Sequence, residues 1–247
     1  MTILTAENIT KKYDDRLIIK DVSLHLDSNE VVCLLGISGI GKSTLFHVLS
    51  GLVVPEKGKV LLSGADITGK PGRISYMQQK DLLLPYKSIL DNIALPLIIK
   101  GEKKENARKK ASDFFDKFGL SGTQNKYPSQ LSGGMRQRAA LLRTYLFSGE
   151  AALLDEPFSA LDAITKTAMH NWYNDVMSEI SLPTIFITHD IDEAILLSDR
   201  IYIMSGTPGR ITSEIKIEVK KPRHTDFTTS DEFIRYKREI LRLLDFN

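Results

Sequence analysis

Apolar positions mark out the elements of this chain. Between Ile3 and Leu26, Ile3, Ile9, Leu17, Ile18, Val22, Leu24 and Leu26 alternate loosely with polar residues, and Asp14-Asp15 and Asp27-Ser28-Asn29 supply turns. Period-two alternation broken by turn residues predicts an antiparallel sheet laid beside a second core. Glu30-Val-Val-Cys-Leu-Leu35 is continuously apolar and predicts a buried strand, with a helix from Leu45 to about Gly51. Pro55 to Gly58 is a turn, and Lys59–Leu62 and Arg73–Met77 are strands. Residues 82 to 148 change character. Lys103 to Phe118 places Ala107, Ala111, Phe114, Phe115 and Phe118 on one helical stripe, with Gly119 as a stop, and another helix runs from the Gln130 region to about Phe147. Buried strands return at 151–156 and 183–188, separated by a long helix with Trp172 and Tyr173 in its packing face. Arg200–Met204 and Ile211–Val219 are closing strands, joined by a turn at Gly206–Gly209. Asp231–Asp245 is an amphipathic helix with Phe233, Tyr236, Ile240 and Leu244 on its stripe.

Buried strands alternating with helices predict an α/β fold. Its expected parts are a mixed-sheet core, an N-terminal antiparallel β-subdomain and a helical subdomain inserted at about 82–148. The expected division is one domain over 1–222, ended by Pro222, and a short helical extension over 223–247.

Composition narrows the class. A chain of 247 residues fits one large domain or two small ones, and 42% hydrophobic with 26% charged residues is ordinary globular usage. The net charge of +2 argues neither for nor against nucleic acid. Cys33 is the one cysteine, so no internal disulfide forms, which suits a reducing cytosol; it reads as a small core hydrophobe. The N-terminus lacks the build of a signal peptide. The most apolar stretch, Leu82–Ile99, is broken by Pro85, Lys87, Asp91, Asn92 and Pro96, which excludes it as a membrane span. That stretch either packs on neighbouring helices or waits for a partner. The basic face at Lys103, Lys104, Arg108, Lys109 and Lys110 reads as a solvated helix face.

Candidate chemistry centres on Gly36-Ile-Ser-Gly-Ile-Gly-Lys-Ser-Thr44, which fits G-x-x-x-x-G-K-S/T between a strand and a helix. Gly36, Gly39 and Gly41 let the backbone wrap an anion, and the new helix aims its N–H groups and its dipole at it. Lys42 is placed to reach the β- and γ-phosphates, and Ser43 to hold Mg²⁺. Ser38 and Thr44 belong to the same loop. Tyr13, just before a turn, is a candidate for stacking on a base. Gln79 follows a strand end, where open α/β sheets place ligands. Ser132-Gly133-Gly134 opens a helix with bare N–H groups, a second anion-binding start. Leu154-Asp155 has the shape of a Mg²⁺-holding carboxylate at a sheet edge, Glu156 is placed to act on an attacking water, and His189 ends the 183–188 strand.

Taken together, these motifs resemble the ATP-binding subunits of ABC transporters over nearly the whole chain. The phosphate loop, Gln79, the signature Leu131-Ser-Gly-Gly-Met-Arg-Gln137, Asp155-Glu156, the turn at Ser159–Asp162 and His189 come in that family's order. The resemblance implies a P-loop NTPase core, with ATP bound by Lys42 and the loop amides and with Tyr13 stacking on adenine. It implies Mg²⁺ at Ser43, Asp155 and Gln79, Glu156 as general base and His189 at the γ-phosphate. It implies that Ser132 and Gly134, with Gly133 and Asp162 in the same site, face ATP held on a second copy of the chain, so that two copies make two sites. A separate membrane permease is implied around Gln79–Leu97, with a solute-binding protein engaged indirectly, no nucleic acid, and a place in the cytoplasm on the inner face of the membrane. The 82–97 stretch then favours the exposed-patch reading. Leu-Leu-Pro-Tyr86 and Thr-Pro-Gly-Arg-Ile211 look like bacterial importers for nitrate, sulfonates, taurine or thiamine-type precursors. Gly149 and Thr144 depart from the family's usual proline and alanine. The alternative, a non-transport ABC ATPase of DNA repair or ribosomes, calls for a coiled coil between Lys42 and Asp155, or for two phosphate loops; neither is present.

Overall fold

The computed structural model describes residues 1–147 and 150–244. The predicted end of the insertion at 148, the departure at Gly149 and the helix end at Asp245 fall outside these residues. Strands β1 (Thr2–Tyr13) and β2 (Arg16–Asp27) form a long hairpin. The chain continues through β3 (Val31–Leu35), α1 (Lys42–Leu49), β4 (Lys57–Leu62), the two-residue β5 (Ala65–Asp66) and β6 (Ser75–Met77). Helices α2 (Ile89–Ile99), α3 (Lys104–Ser112) and α4 (Gly133–Phe147) follow. Then come β7 (Ala152–Asp155), α5 (Ala163–Ile180), β8 (Thr184–Thr188), α6 (Ile191–Leu197), β9 (Arg200–Ser205), β10 (Arg210–Lys216) and α7 (Asp231–Leu243).

The strands sort into two sheets. An antiparallel sheet has the order β2-β1-β4-β5, and a mixed sheet has the order β10-β9-β3-β8-β7-β6. In the mixed sheet β9, β3, β8, β7 and β6 run parallel and β10 closes the edge antiparallel. The expected α/β architecture is present, and α2–α4 lie between β6 and β7 as the inserted helical part.

The parallel strands are buried on both faces, which is why they read as continuous apolar runs. In β3, Val32 and Leu34 join a core around α1, with Leu45, Phe46, Val48 and Leu49 all fully buried between the two sheets. Val31, Cys33 and Leu35 point the other way, into a core shared with α2–α7. Burial pushes the Cys33 thiol well up, so it is a core side chain and not a reactive one. The stripe on α7 seats Phe233, Tyr236 and Ile240 in that second core, with Leu244 packed against it.

Two expectations need correction. The Lys103–Phe118 helix ends at Ser112. Beyond it the chain tightens into turns, with Phe114 N–H to Ala111 O and Gly119 N–H to Asp116 O. Phe115 and Phe118 still reach the core, because three-residue turns keep them on the same side. The last strand stops at Lys216, where the Ile217 N–H leaves β9 for the Asp199 carbonyl.

Candidate functional site

Strand register brings the candidate residues together. Leu35 pairs with Thr188, Ile187 with Asp155, and Leu154 with Met77. The carboxyl ends of β3, β8, β7 and β6 therefore share one edge, where an open α/β sheet holds its ligand. The Gly36–Gly41 loop, His189, Glu156 and Gln79 all leave from that edge.

Between β3 and α1, Gly36, Ser38 and Gly39 form the turn and Gly41 sits at the helix N-cap with φ of 109°. A Cβ on Gly41 would lie 2.6 Å from Ile19 Cγ2 of β2, so the hairpin presses on the loop from behind and only glycine fits. Lys42 is 5% exposed, and its ammonium donates to Gly36 O at 2.7 Å and Ile37 O at 2.9 Å. Burial holds its pKa below the usual lysine range, opposed by the nearby Glu156 and Asp155 carboxylates. A buried ammonium held by its own loop carbonyls is a charged donor suited to an anion's oxygens. Thr44, next along α1, is partly exposed.

Asp155 is buried, and the Tyr76 hydroxyl donates to its Oδ2 at 3.2 Å. Burial pushes its carboxyl up, hydrogen bonds from Ser43 and Tyr76 pull it down, and the net shift is upward. Tyr76 is a site residue the sequence did not flag, because nothing local ties position 76 to position 155. Glu156 follows at φ of 46°, in the left-handed region, a strained backbone for a non-glycine residue. Its amide donates to Ile187 O at 3.0 Å. Its carboxylate is held from two sides, by Gln79 Nε2 at 3.1 Å on Oε2 and by His189 Nδ1 at 3.1 Å from Oε1.

A cleft of about 730 Å³ opens beside Glu156, lined by Gln79, Gly133, Gln137, Ser159 and His189 among others. No residue of the phosphate loop lines it. Gly133, at the start of α4, thus faces the cleft beside Glu156 and not the phosphate loop of the same chain. Ser132 Oγ accepts from Met135 N–H at 3.3 Å, as an N-cap does. Gly134 has a packing role of its own: a Cβ there would lie 3.2 Å from Thr165 Cγ2, so α4 and α5 approach closely. The Asp162 carboxylate caps α5 by accepting from Thr165 N–H at 3.0 Å and Thr165 Oγ1 at 2.6 Å. Tyr13, at the end of β1, is 44% exposed with the Lys11 ammonium 5.4 Å from its ring centroid.

A strand-loop-helix phosphate cradle beside a buried Asp155 and a partly exposed Glu156 defines a nucleoside triphosphate-hydrolysing domain. Residues 19–159 match the ABC transporter family, and the chain belongs to it as an ATP-binding, ATP-hydrolysing subunit. Among curated relatives, a formylaminopyrimidine import ATP-binding protein of Halalkalibacterium halodurans is 41% identical over 98% of this chain and 96% of that protein. An aliphatic sulfonates import ATP-binding protein of Burkholderia cenocepacia is 38% identical over 86% of this chain and 77% of its own length. A nitrate import ATP-binding protein of Synechocystis is 34% identical over 92% and 87%. A solved dimeric ATP-binding cassette in a post-hydrolysis state, bound to ADP and Pi, aligns with a TM-score of 0.74 and 28% identity over 88% of this chain and all of that one. None of these relatives supports the nucleic-acid alternative. Among the described residues no helix is long and apolar enough to cross a membrane.

Proposed function

We propose that this chain powers the import of a small solute, in the class of sulfonates, nitrate, taurine or a thiamine-type precursor, by binding and hydrolysing Mg·ATP between two copies of itself. The observation that carries this is the Glu156 carboxylate held between Gln79 and His189 at the sheet edge that also starts the phosphate loop. Glu156 is the general base for the attacking water. His189 orients that carboxylate and meets the γ-phosphate. Lys42 and the loop amides of Gly39, Gly41, Ser43 and Thr44 hold the phosphates, with Gly36 and Ser38 shaping the turn, and Tyr13 stacks on adenine.

Among the described residues no cluster of three or more His, Cys, Asp or Glu forms a metal cage. The buried Asp155 carboxylate hydrogen-bonded to Ser43 is instead the sparse donor set that suits Mg²⁺ when phosphates and water complete its shell. Asp155, Ser43 and, on leaving Glu156, Gln79 are the residues that would hold it. A metal ion held there would supply charge neutralisation to the phosphates. Ser132, Gly133, Gly134 and Asp162 complete the site on the partner copy.

The membrane partner docks beside Gln79. Leu82 is 50% exposed and Tyr86 and Ile99 are each 72% exposed, and Leu82, Leu84, Leu95, Pro96 and Ile99 line an apolar groove of about 400 Å³. Exposed apolar surface of this kind fits a short helix of a separate permease, and this reading has the chain working in the cytoplasm on the inner face of the membrane. The test is co-expression with the membrane proteins encoded by its neighbouring genes. Co-purification that is lost in Leu82→Glu, with ATP binding intact, is expected; a preparation that never associates with them contradicts the transport role.

A further inference from the structure

Behind His189 lies a buried charged cluster that the chemistry above does not use. Glu193, on α6, is 2% exposed. Lys166 Nζ lies 2.6 Å from its Oε1, His170 Nε2 lies 3.3 Å from the same oxygen, and the Thr188 hydroxyl donates to Oε2 at 2.5 Å. Lys166 also donates to Asp190 Oδ2 at 2.7 Å. The Asp190 N–H returns to the Thr188 hydroxyl at 3.0 Å, and Asp190 Oδ1 caps α6 by accepting from Asp192 N–H at 2.9 Å. Of the two chain neighbours of His189, Thr188 is therefore bonded to the buried Glu193 carboxylate directly and Asp190 is tied to it through Lys166.

His189 itself has a side chain that is 54% exposed. Packing does little to orient a ring that open, so its direction rests on the contact with Glu156 and on the backbone on either side. Lys166 and His170 belong to α5, the helix that follows the turn carrying Glu156 and Ser159, and the Ser159 hydroxyl donates to Glu156 O at 3.0 Å. The cluster thus joins the segment after Glu156 to the segment that carries His189. Burial pushes Glu193 up, but the hydrogen bonds from His170, Lys166 and Thr188 outweigh it and the carboxylate stays charged. A buried ion pair of this kind adds little stability over an apolar substitute, and what it does supply is a fixed geometry.

We propose that Lys166, Glu193 and Thr188 are positioning residues for ATP hydrolysis, holding His189 against Glu156 and tying it to α5. This rests on the roles given above to His189 and Glu156.

Steady-state hydrolysis by the full chain tests it. Thr188→Val keeps the branched shape and removes the hydroxyl. Its kcat is expected to fall roughly ten- to a hundredfold, as for small misplacements of reacting groups, with the KM for ATP unchanged and Thr188→Ser restoring turnover. Lys166→Met alone takes the ammonium from the buried Glu193 carboxylate, leaving it only His170 and Thr188, and lowers the melting temperature. The double variant Lys166→Met, Glu193→Gln removes both charges and is expected to recover the melting temperature but not kcat. Recovery of kcat together with stability, or full turnover in Thr188→Val, overturns the proposal; if the double variant does not fold, Thr188→Val decides. His189→Ala run alongside separates the two layers. Loss of turnover there with none in the cluster variants refutes only the cluster. Full turnover in His189→Ala refutes the role of His189 itself.

Discussion

Replacing Glu156 by Gln removes one charge from the site and almost nothing else. The Glu156 carboxylate accepts from Gln79 Nε2 at 3.1 Å, and the side-chain carbonyl of the substituted glutamine can accept the same bond. Its amide can then donate to His189 Nδ1, which lies 3.1 Å from Oε1, provided the imidazole carries its proton on Nε2. The backbone at φ of 46° is as strained for Gln as for Glu, so local conformation is not a confounding change. What disappears is the proton acceptor. General-base assistance contributes about 10²- to 10⁴-fold. At 1.36 kcal/mol per tenfold, that is about 3–5 kcal/mol of barrier. Phosphate release at saturating Mg·ATP should fall by that factor while nucleotide affinity, followed by titration, holds or tightens. With hydrolysis stalled, ATP-bound dimers should accumulate and be visible by gel filtration. Undiminished phosphate release from Glu156→Gln would refute the general-base assignment.

Two further changes test other parts of the site. Asp155→Asn should trade activity for stability. Burial raises the folded-state carboxyl above its unfolded value of 3.8, so the native protein loses stability as pH rises through the folded pKa. The neutral Asn escapes that loss. The variant should melt higher at neutral pH, by about 2–4 °C for each kcal/mol, and the gap should close as pH falls through the folded pKa. Mg-dependent hydrolysis should be lost, and a lower melting temperature at pH 7 would contradict the burial argument. Gly41→Ala must hold φ of 109° with its Cβ 2.6 Å from Ile19 Cγ2. A stability loss of about 1–3 kcal/mol by chemical denaturation and weaker ATP binding are expected, and wild-type behaviour in both would show that the loop is not braced by β2.

What the sequence reveals here follows the range of each interaction. The phosphate loop is a contiguous strand-turn-helix, and every element of it is visible as residue type and spacing. The buried strands β3, β7 and β8 are visible because two-sided burial writes itself as an unbroken apolar run. The sharing of one edge by Glu156, His189 and Gln79 could be expected only from strand ends, since sheet order is set by pairing across many residues. Tyr76 and the Lys166–Glu193 cluster left no local trace, being pairs 79 and 27 positions apart whose members look like ordinary strand and helix residues singly. Helix α6 is too short for its apolar pattern to mark it, although Asp190 is a good cap and Asp192 and Glu193 make an acidic first turn. Helix α3 looked too long because three-residue turns preserve the same apolar spacing as a helix.

The proposal that a complete site needs two copies is tested most directly by mixing two inactive chains. Lys42→Ala disables the phosphate loop and Ser132→Arg the signature, and each chain alone should show no steady hydrolysis. In a mixed dimer one site joins the intact loop of the Ser132→Arg copy to the intact signature of the Lys42→Ala copy. Mixing should therefore restore ATPase activity at up to one working site per mixed dimer. No recovery on mixing, with both chains folded and the Ser132→Arg chain still binding ATP, would contradict a site shared between copies.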